Sequence, residues 1–259
     1  MVKLRVKDIV FGYASANILE NICFELKASE VISIVGPNGT GKSTLLKCID
    51  RILVPKSGGI SVDEKDLKGM GRLEVAKTLS YVPQSTARVF PSTVFETVLM
   101  GRRPHLGWFS SEGDKEKVWE VLELLGIEAL ALTSFNELSG GQQQKVLIAR
   151  ALVQDTGVML LDEPTSNLDI WHQLDVMEIV RKLVNEKEVT CLMAVHDLNM
   201  ASKYSDRIIM MKDGKIVAAG SPVKVLTPEN IAAVYGVEAS VSLHAETPYV
   251  VPLKQLEVF

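Results

Sequence analysis

Apolar residues follow two strand-like patterns along this chain. From residue 2 to residue 26 they alternate with polar residues in short segments, which is typical of strands with one buried face. Residues 31–35 and 158–162 are nearly continuous apolar runs, which are typical of strands buried on both faces. Further strands are expected at the two ends of segment 59–83 and at 189–195. The chain therefore predicts an antiparallel N-terminal sheet beside a buried, mostly parallel sheet.

Between these strands, the apolar residues recur at the spacing of an α-helix. Between about residues 85 and 136 the apolar positions follow one helix face, at Val118, Val121, Leu122 and Leu125. Further helices are expected at 43–52, in the middle of 59–83, after Gly140, and along the apolar positions Ile170, Leu174, Met177 and Leu183. The pair Asp213-Gly214 predicts a hairpin turn. Alternating strands and helices indicate an α/β fold with a parallel sheet.

The order of these segments also predicts how the chain is organised. We expect one domain spanning residues 1–259, with a core built from 1–84 and 158–220. Residues 85–157 are expected to form an inserted helical subdomain, and residues 221–259, which four prolines punctuate, a small C-terminal appendage.

Composition excludes several classes of protein. Apolar residues make up 47% and charged residues 23% of the 259 residues, which argues against disorder, collagen and coiled coil. The net charge of -4 provides no overall field for nucleic acid, and none is expected as a partner. The longest apolar runs are far shorter than the roughly 18 to 20 residues that span a bilayer. The N-terminal segment lacks the apolar region of a signal peptide, so a cytoplasmic location is expected.

Cysteine and histidine spacing gives no sign of a metal cluster or a disulfide framework. The three cysteines are scattered in apolar segments, and we expect Cys23, Cys48 and Cys191 to be buried, reduced thiols. Three histidines lack clustered ligand partners, and we expect packing or surface roles for His105, His172 and His244.

Residues 36–43 form a candidate phosphate-binding loop. They read Gly-Pro-Asn-Gly-Thr-Gly-Lys-Ser, which fits the pattern G-x-x-x-x-G-K-[ST] between a predicted strand and a predicted helix. In such a loop, main-chain N–H groups close around phosphate oxygens, and the helix directs its positive end at the same anion. Lys42 is expected to hold the β- and γ-phosphates, and Ser43 to supply a hydroxyl ligand for Mg²⁺.

Two carboxylates follow the buried strand at 158–162. Asp162 and Glu163 lie at its carboxyl end, where open α/β sheets bind their ligands. Because successive side chains diverge at a strand end, Asp162 can face the magnesium water shell while Glu163 reaches an attacking water as general base.

The segment Leu138-Ser139-Gly140-Gly141-Gln142 completes a set of motifs. Taken with residues 36–44 and with Leu161-Asp162-Glu163-Pro164, it resembles the ATP-binding subunit of ABC transporters over nearly the whole chain. The resemblance implies that Tyr13 stacks on adenine and that Gln84 lies in the loop joining two subdomains. It also implies that Asp169, at the end of the sequence Ser166-Asn167-Leu168-Asp169, faces a partner subunit, and that His196 is the switch histidine.

The same resemblance implies a site shared between two chains. A Ser-Gly-Gly turn opening a helix is a second anion cradle, and in this family it closes over the γ-phosphate held by the other subunit of a head-to-tail dimer. The catalytic residues implied are Lys42, Gln84, Glu163 and His196, with Ser43, Gln84 and Asp162 at Mg²⁺. The residues implied to contact ATP are Tyr13, Gly36, Pro37, Asn38, Gly39, Thr40, Gly41, Lys42, Ser43, Thr44, Ser139, Gly140, Gly141, Gln142 and Asp169.

One segment narrows the resemblance within the family. Residues 93–105, which end in Gly-Arg-Arg-Pro-His, resemble ATPases of importers for iron-siderophores, haem and cobalamin. Molybdate or tungstate importers and soluble ABC ATPases remain alternatives. Importer ATPases act at the cytoplasmic face of the cell membrane with permease subunits and, indirectly, a substrate-binding protein. We expect a permease to dock near residues 85–109, on the exposed side chains of Arg88, Phe90, Arg102, Arg103 and Trp108.

Overall fold

The computed structural model describes residues 2–13, 16–84, 92–106 and 110–256. Its strands are β1 (Val2–Phe11), β2 (Leu19–Lys27), β3 (Val31–Val35), β4 (Ser57–Val62), β5 (Lys65–Asp66), β6 (Leu79–Val82), β7 (Val158–Asp162), β8 (Thr190–Ala194), β9 (Arg207–Lys212), β10 (Lys215–Gly220), β11 (Val237–His244) and β12 (Thr247–Gln255). Its α-helices are α1 (Lys42–Ile49), α2 (Arg72–Ala76), α3 (Val94–Leu99), α4 (Glu112–Leu124), α5 (Gly140–Leu152), α6 (Ile170–Lys187), α7 (Leu198–Tyr204), α8 (Pro222–Val225) and α9 (Pro228–Tyr235).

The central sheet has six strands in the order β10-β9-β3-β8-β7-β6. Strands β9, β3, β8, β7 and β6 run parallel, and β10 returns antiparallel to β9 through the predicted turn at Asp213-Gly214. Ile34 pairs with Ala194, and Ala194 pairs in turn with Asp162. The loops that follow β3, β7 and β8 therefore begin side by side at one edge of the sheet. The predicted α/β fold is confirmed.

This sheet is buried on both faces, which explains the continuous apolar runs of its strands. On β7, Met159 and Leu161 pack with the helices α4 to α6, whereas Leu160 packs on the opposite face with residues of α1 and of the N-terminal sheet. The predicted bounds 31–35 and 158–162 match β3 and β7. Two apolar layers thus fix the central strands and the loops at their carboxyl ends.

The N-terminal sheet has four antiparallel strands in the order β2-β1-β4-β5. It confirms the alternating pattern, because buried and exposed residues alternate along β2. The expectation for Cys23 is wrong: this residue falls on an outward position of β2 and is exposed, and its thiol donates to Asp8 Oδ1 at 3.0 Å. Cys48 and Cys191 are buried free thiols, as expected.

Helices α3, α4 and α5 lie in the segment for which the sequence predicts a helical insertion. Arg102, which we expected to be exposed, is buried among them. Its Nε lies 2.9 Å from Asp114 Oδ1, and its guanidinium donates at 3.0 Å to the carbonyl of Val153, the residue after α5. Its partner Asp114 is in the first turn of α4, so the Arg102 side chain ties the segment after α3 both to α4 and to the end of α5. Arg88, Phe90 and Trp108 lie outside the described residues.

Helix α6 is the longest helix in the described part of the chain, and its buried face includes three of the four predicted positions, Leu174, Met177 and Leu183. Ile170 is 75% exposed, and the face that packs is formed by Val176, Met177, Val180, Leu183 and Val184. The apolar stripe therefore begins at Leu174, one turn later than the sequence predicts.

The C-terminal segment contains more structure than the sequence predicts. Helices α8 and α9 are followed by a two-stranded antiparallel hairpin of β11 and β12. Asn199 and Ser202 of α7 hold this hairpin, since Ser202 Oγ donates to the carbonyl of Pro248 at 2.7 Å and Asn199 bonds both backbone groups of Val250. None of the helices described is long and apolar enough to cross a bilayer.

Candidate active site

The loop after β3 wraps around the ammonium group of Lys42. Lys42 is buried in the first turn of α1, and its Nζ donates to the carbonyls of Gly36 at 2.7 Å and Pro37 at 2.9 Å. Burial lowers the pKa of Lys42, and the nearby carboxylates of Glu163 and Asp162 act in the opposite direction. The loop therefore places a positive charge at the amino end of a helix, where anions bind.

Glycine is required in this loop for a specific reason. Gly41, the residue before α1, has φ 95°, a backbone conformation that side chains disfavour. A β-carbon at Gly36 would lie 2.3 Å from the carbonyl oxygen of Met211, so the loop packs against β9 with no room for a side chain. Asn38 and Gly39 are exposed at the tip, while Thr40 is buried and donates to the Pro37 carbonyl at 3.0 Å.

Asp162 is held between two hydroxyl groups at the carboxyl end of β7. Its Oδ1 accepts from Ser43 Oγ at 2.7 Å, and its Oδ2 accepts from the hydroxyl of Tyr81 at 2.9 Å. Only 2% of Asp162 is exposed. Burial, and then the charge of Asp162, raise the pKa of Tyr81, so its hydroxyl stays protonated and donates. Sequence reasoning missed Tyr81; the parallel register of β6 beside β7, which opposes Tyr81 to Leu160, is the signal that could have placed it here.

The oxygens at this position suit Mg²⁺. A serine hydroxyl and a carboxylate, already within hydrogen-bonding distance of each other, are the oxygen donors that this ion prefers, with phosphate oxygens and water completing its coordination. Ser43 and Asp162 are therefore the residues that would hold it. Gln84, which the sequence also assigns to the ion, donates its amide to Glu163 instead, and its contact with Mg²⁺ stays a prediction.

Glu163 lies between two other predicted catalytic side chains, those of Gln84 and His196. One carboxylate oxygen contacts His196 Nε2, and the other accepts from the amide of Gln84. Glu163 has φ 51°, and its backbone N–H donates to the carbonyl of Ala194 at 3.1 Å. The strain of such a left-handed backbone is common at functional sites. Asp162 and Glu163, although adjacent, contact different side chains: Asp162 contacts Ser43 and Tyr81, and Glu163 contacts Gln84 and His196. The structure thus brings together three residues that are far apart in the sequence.

Tyr13 extends from the turn that follows β1 and is 59% exposed. Its ring packs edge-on against Phe11, with centroids 5.1 Å apart. Ile18 N–H donates to the Phe11 carbonyl at 2.8 Å, and a β-carbon on Gly41 would lie 2.7 Å from Leu19 Cδ2, so the start of β2 lies beside the phosphate loop. An exposed aromatic face near the phosphate loop is suited to stacking on a base.

The segment 139–142 forms the predicted turn at the start of α5. Ser139 is the N-cap: its hydroxyl accepts from Gln142 N–H at 3.3 Å, and Gln142 Oε1 accepts from Ser139 N–H at 3.0 Å. This reciprocal capping box uses the Gln142 side chain to rigidify the turn. Ser139 and Gly140 are exposed, whereas Gly141 is buried. The turn thus presents a helix amino end outward, as an anion cradle requires.

Asp169 caps α6 and is joined to His172. It is 66% exposed on its side chain, and it accepts from His172 N–H at 2.9 Å while its carboxylate oxygens lie 2.8 and 2.9 Å from His172 Nδ1. These bonds with His172 lower the pKa of Asp169. The expectation that His172 has only a packing or surface role is therefore incomplete. His105 and His244 match it: both are exposed, and His105 contacts the carbonyl of Gln154 at 2.8 Å.

Several known proteins are similar to this chain over most of its length. Residues 19–166 match the family model described as ABC transporter. An uncharacterized ABC transporter ATP-binding protein of Methanocaldococcus jannaschii is 50% identical over 96% of this chain and 98% of its own length. The ferric enterobactin transport ATP-binding protein FepC of Escherichia coli is 38% identical over 97% of this chain and 94% of its own length.

Solved structures give the same result. A metal-chelate type ABC transporter in an inward-facing conformation superposes with a TM-score of 0.86 at 28% identity, over 98% of each chain. A dimeric ATP-binding cassette in a post-hydrolysis state, bound to ADP and phosphate, superposes with a TM-score of 0.74 at 30% identity. That comparison covers 85% of this chain and 98% of the cassette.

Proposed function

Because this chain belongs to the ABC transporter family and is an ATP-hydrolysing subunit of it, we propose that it energises a binding-protein-dependent importer of an iron-siderophore, haem, cobalamin or related metal chelate. The cargo class rests on the relatives, since a ferric enterobactin ATPase aligns with almost the full chain and a metal-chelate transporter has the same fold. A molybdate importer or a soluble ATPase has no comparable relative among those named above.

The observation that carries the hydrolytic function is the position of Glu163. Its carboxylate lies between Gln84 and His196, next to the carboxyl end of β7 where Asp162 meets Ser43. Glu163 is the candidate general base that takes the proton of the attacking water, and His196 orients the Glu163 carboxylate. Lys42 and the main-chain N–H groups of the loop bind the phosphates. Bound Mg²⁺ would neutralise charge that develops on the phosphate oxygens.

A single chain provides only part of this site. Ser139 and Gly140 are exposed, and the side chains of Ser139 and Gln142 satisfy each other in the capping box. We infer that two chains associate head to tail, so that each Ser139–Gln142 turn closes over the γ-phosphate on the other chain. A related cassette is a dimer with ADP and phosphate. Such an isologous pair has two-fold symmetry.

The permease is proposed to dock on the described part of segment 85–109, which places the subunit peripherally at the cytoplasmic face of the membrane. Arg103 is exposed and Met100 is 44% exposed there. Arginine and large apolar side chains are well suited to partner interfaces. Arg102 is excluded from this surface because its charge is paired inside the helical layer. The division of the chain into core and helical subdomain at 85–157 is part of this proposal.

Lys42→Ala separates ATP-driven import from other roles. In cells that carry the native permease and binding protein, uptake of ferric siderophore, haem and cobalamin is measured for the natural chain and for this variant. One of the three chelates is expected to enter cells with the natural chain and not cells with Lys42→Ala, because the variant lacks the phosphate-binding charge. If uptake of every chelate is the same with Lys42→Ala as with the natural chain, the proposal is contradicted. Circular dichroism of the purified variant checks that the fold is intact.

A further inference from the structure

The ring of His172 lies between the Asp169 loop and the Ser139–Gln142 turn of the same chain. Its Nδ1 lies 2.8 and 2.9 Å from the two carboxylate oxygens of Asp169. Since both of these partners accept, Nδ1 carries the hydrogen. The opposite edge of the ring faces Gly141: a β-carbon built on that glycine would lie 1.9 Å from His172 Cδ2 and 2.7 Å from Nε2. One imidazole therefore contacts both segments.

The ring has little freedom to leave this position. Asp169 holds Nδ1 with both oxygens, the backbone N–H of His172 donates to the same carboxylate, and Trp171 packs edge-on against the ring with centroids 4.9 Å apart. Gly141 is helical and has no positive φ, so a side chain is excluded at this position by the lack of space and not by the backbone conformation. A side chain there would displace the ring and break its bond to Asp169.

A second contact joins the same two helices one turn further along. Lys145 of α5 lies 2.8 Å from Asp175 of α6, with side-chain exposures of 17% and 26%. Lys145 is four residues after Gly141, and Asp175 is three residues after His172, so each follows on the same helix face. The ion pair fixes the helix bodies, whereas His172 acts at their first turns, which carry the two functional segments.

We propose that His172 is a positioning residue that fixes the Ser139–Gln142 turn and Asp169 in one rigid unit. This inference rests on the proposed head-to-tail dimer, in which both segments of one chain face the nucleotide of the other. With His172 in place, the two segments approach the partner in a preset geometry. Without His172, each segment must be ordered separately when the dimer closes. The free energy that this ordering requires weakens dimerisation and slows turnover. ATP binding to the chain's own loop at 36–43 does not involve His172.

The first test uses the isolated natural chain, His172→Ala, His172→Asn and the control His244→Ala, which removes an exposed histidine from the β11–β12 hairpin. Amide hydrogen exchange is followed at Gln142 and Gln143 and at Gln173, whose N–H donates to the Asp169 carbonyl at 2.9 Å. We expect His172→Ala to speed exchange at both sites, and His244→Ala and the amides of α1 to be unchanged. His172→Asn, whose amide can still donate to Asp169, should recover part of the protection at Gln173. Exchange that rises near Asp169 alone would overturn the proposal.

The second test separates binding from association. In a Glu163→Gln background with ATP and Mg²⁺, His172→Ala should weaken dimerisation about tenfold or more, while the affinity of the monomer for a fluorescent ATP analogue stays unchanged. Dimerisation equal to that of the Glu163→Gln parent would overturn the role of His172, and so would an equal loss of monomer affinity. If the parent itself stays monomeric, the proposed dimer fails, and the exchange experiment still decides whether His172 couples the two segments.

Discussion

Tyr81 donates a hydrogen bond of 2.9 Å to the Asp162 oxygen opposite the one that Ser43 contacts. Ser43 is also a candidate magnesium ligand, and because its hydroxyl would bind the ion through a lone pair, its O–H can still donate to Asp162. The Tyr81 bond uses the other carboxylate oxygen and does not involve the ion. Asp162 can therefore keep its orientation through β6 when ligands are exchanged on its other side.

Tyr81→Phe should raise the Mg²⁺ concentration needed for half-maximal ATP hydrolysis by about 10-fold to 100-fold, which is typical of losing an outer partner of a metal ligand. The ring and its packing are retained, so the maximal rate at saturating Mg²⁺ should change much less. Metal titrations of ATPase activity, with thermal unfolding as a control on the fold, provide the measurement. An unchanged Mg²⁺ requirement would show that Tyr81 only packs.

Glu163→Gln should lower ATP hydrolysis by about 10²-fold to 10⁴-fold, the usual contribution of a positioned acid or base. The amide keeps the size of the side chain, so ATP should still bind and hold two chains together. Phosphate release gives the rate, and gel filtration with ATP and Mg²⁺ gives the size of the complex. Turnover close to that of the natural chain would exclude Glu163 as the base.

Two neighbouring arginines should give opposite results when their charge is reversed. Arg102→Glu places a second carboxylate beside the buried Asp114, and it should destabilise the chain and lower its yield and unfolding temperature. Arg103→Glu changes an exposed residue; it should leave stability and the ATPase of the isolated subunit unchanged but abolish co-purification with the permease. Co-purification of Arg103→Glu at normal yield would place the docking surface elsewhere.

Asp114 should make the stability of the chain dependent on acid pH. Hydrogen bonds from Ser111, together with that from Arg102, lower the pKa of Asp114 to about 2, below the value of about 3.9 in an unfolded chain. A depressed pKa stabilises the folded state at pH values above the pKa of the unfolded chain, and this contribution is lost as the pH falls from about 4 towards 2. Urea unfolding of the natural chain and of Asp114→Asn between pH 7 and pH 3 measures it. The difference in unfolding free energy between them should shrink on acidification; a constant difference would contradict the assignment.

The sequence was sufficient for the parts of the fold that have a local cause. Continuous apolar runs predicted β3 and β7 with their observed bounds, because strands buried on both faces need apolar residues throughout. The glycine pattern at 36–43 predicted the phosphate loop for the same kind of reason, since both its backbone and its close packing exclude side chains.

Other features depend on partners that are distant in sequence. The burial of Arg102 is decided by Asp114 and by the carbonyl of Val153, and no periodicity records those contacts. His172 likewise looked isolated, since Gly141 has no side chain that could mark it as a neighbour. The sequence did not predict the β11–β12 hairpin, because prolines such as Pro248 and Pro252 argue against a strand. Both fit here because each strand of a two-stranded sheet is an edge strand with a single neighbour.

The left-handed backbone at Glu163 lowers the stability of the fold at a residue that the proposed hydrolytic mechanism requires. A residue with a β-carbon costs free energy at φ 51°, whereas glycine or asparagine adopts that conformation more readily. Selection for a more stable fold alone would therefore favour replacement of the one carboxylate that His196 and Gln84 both contact. Glutamate at this position therefore places the candidate base on a backbone conformation that weakens the fold. Stabilising redesign of this chain should leave that residue untouched.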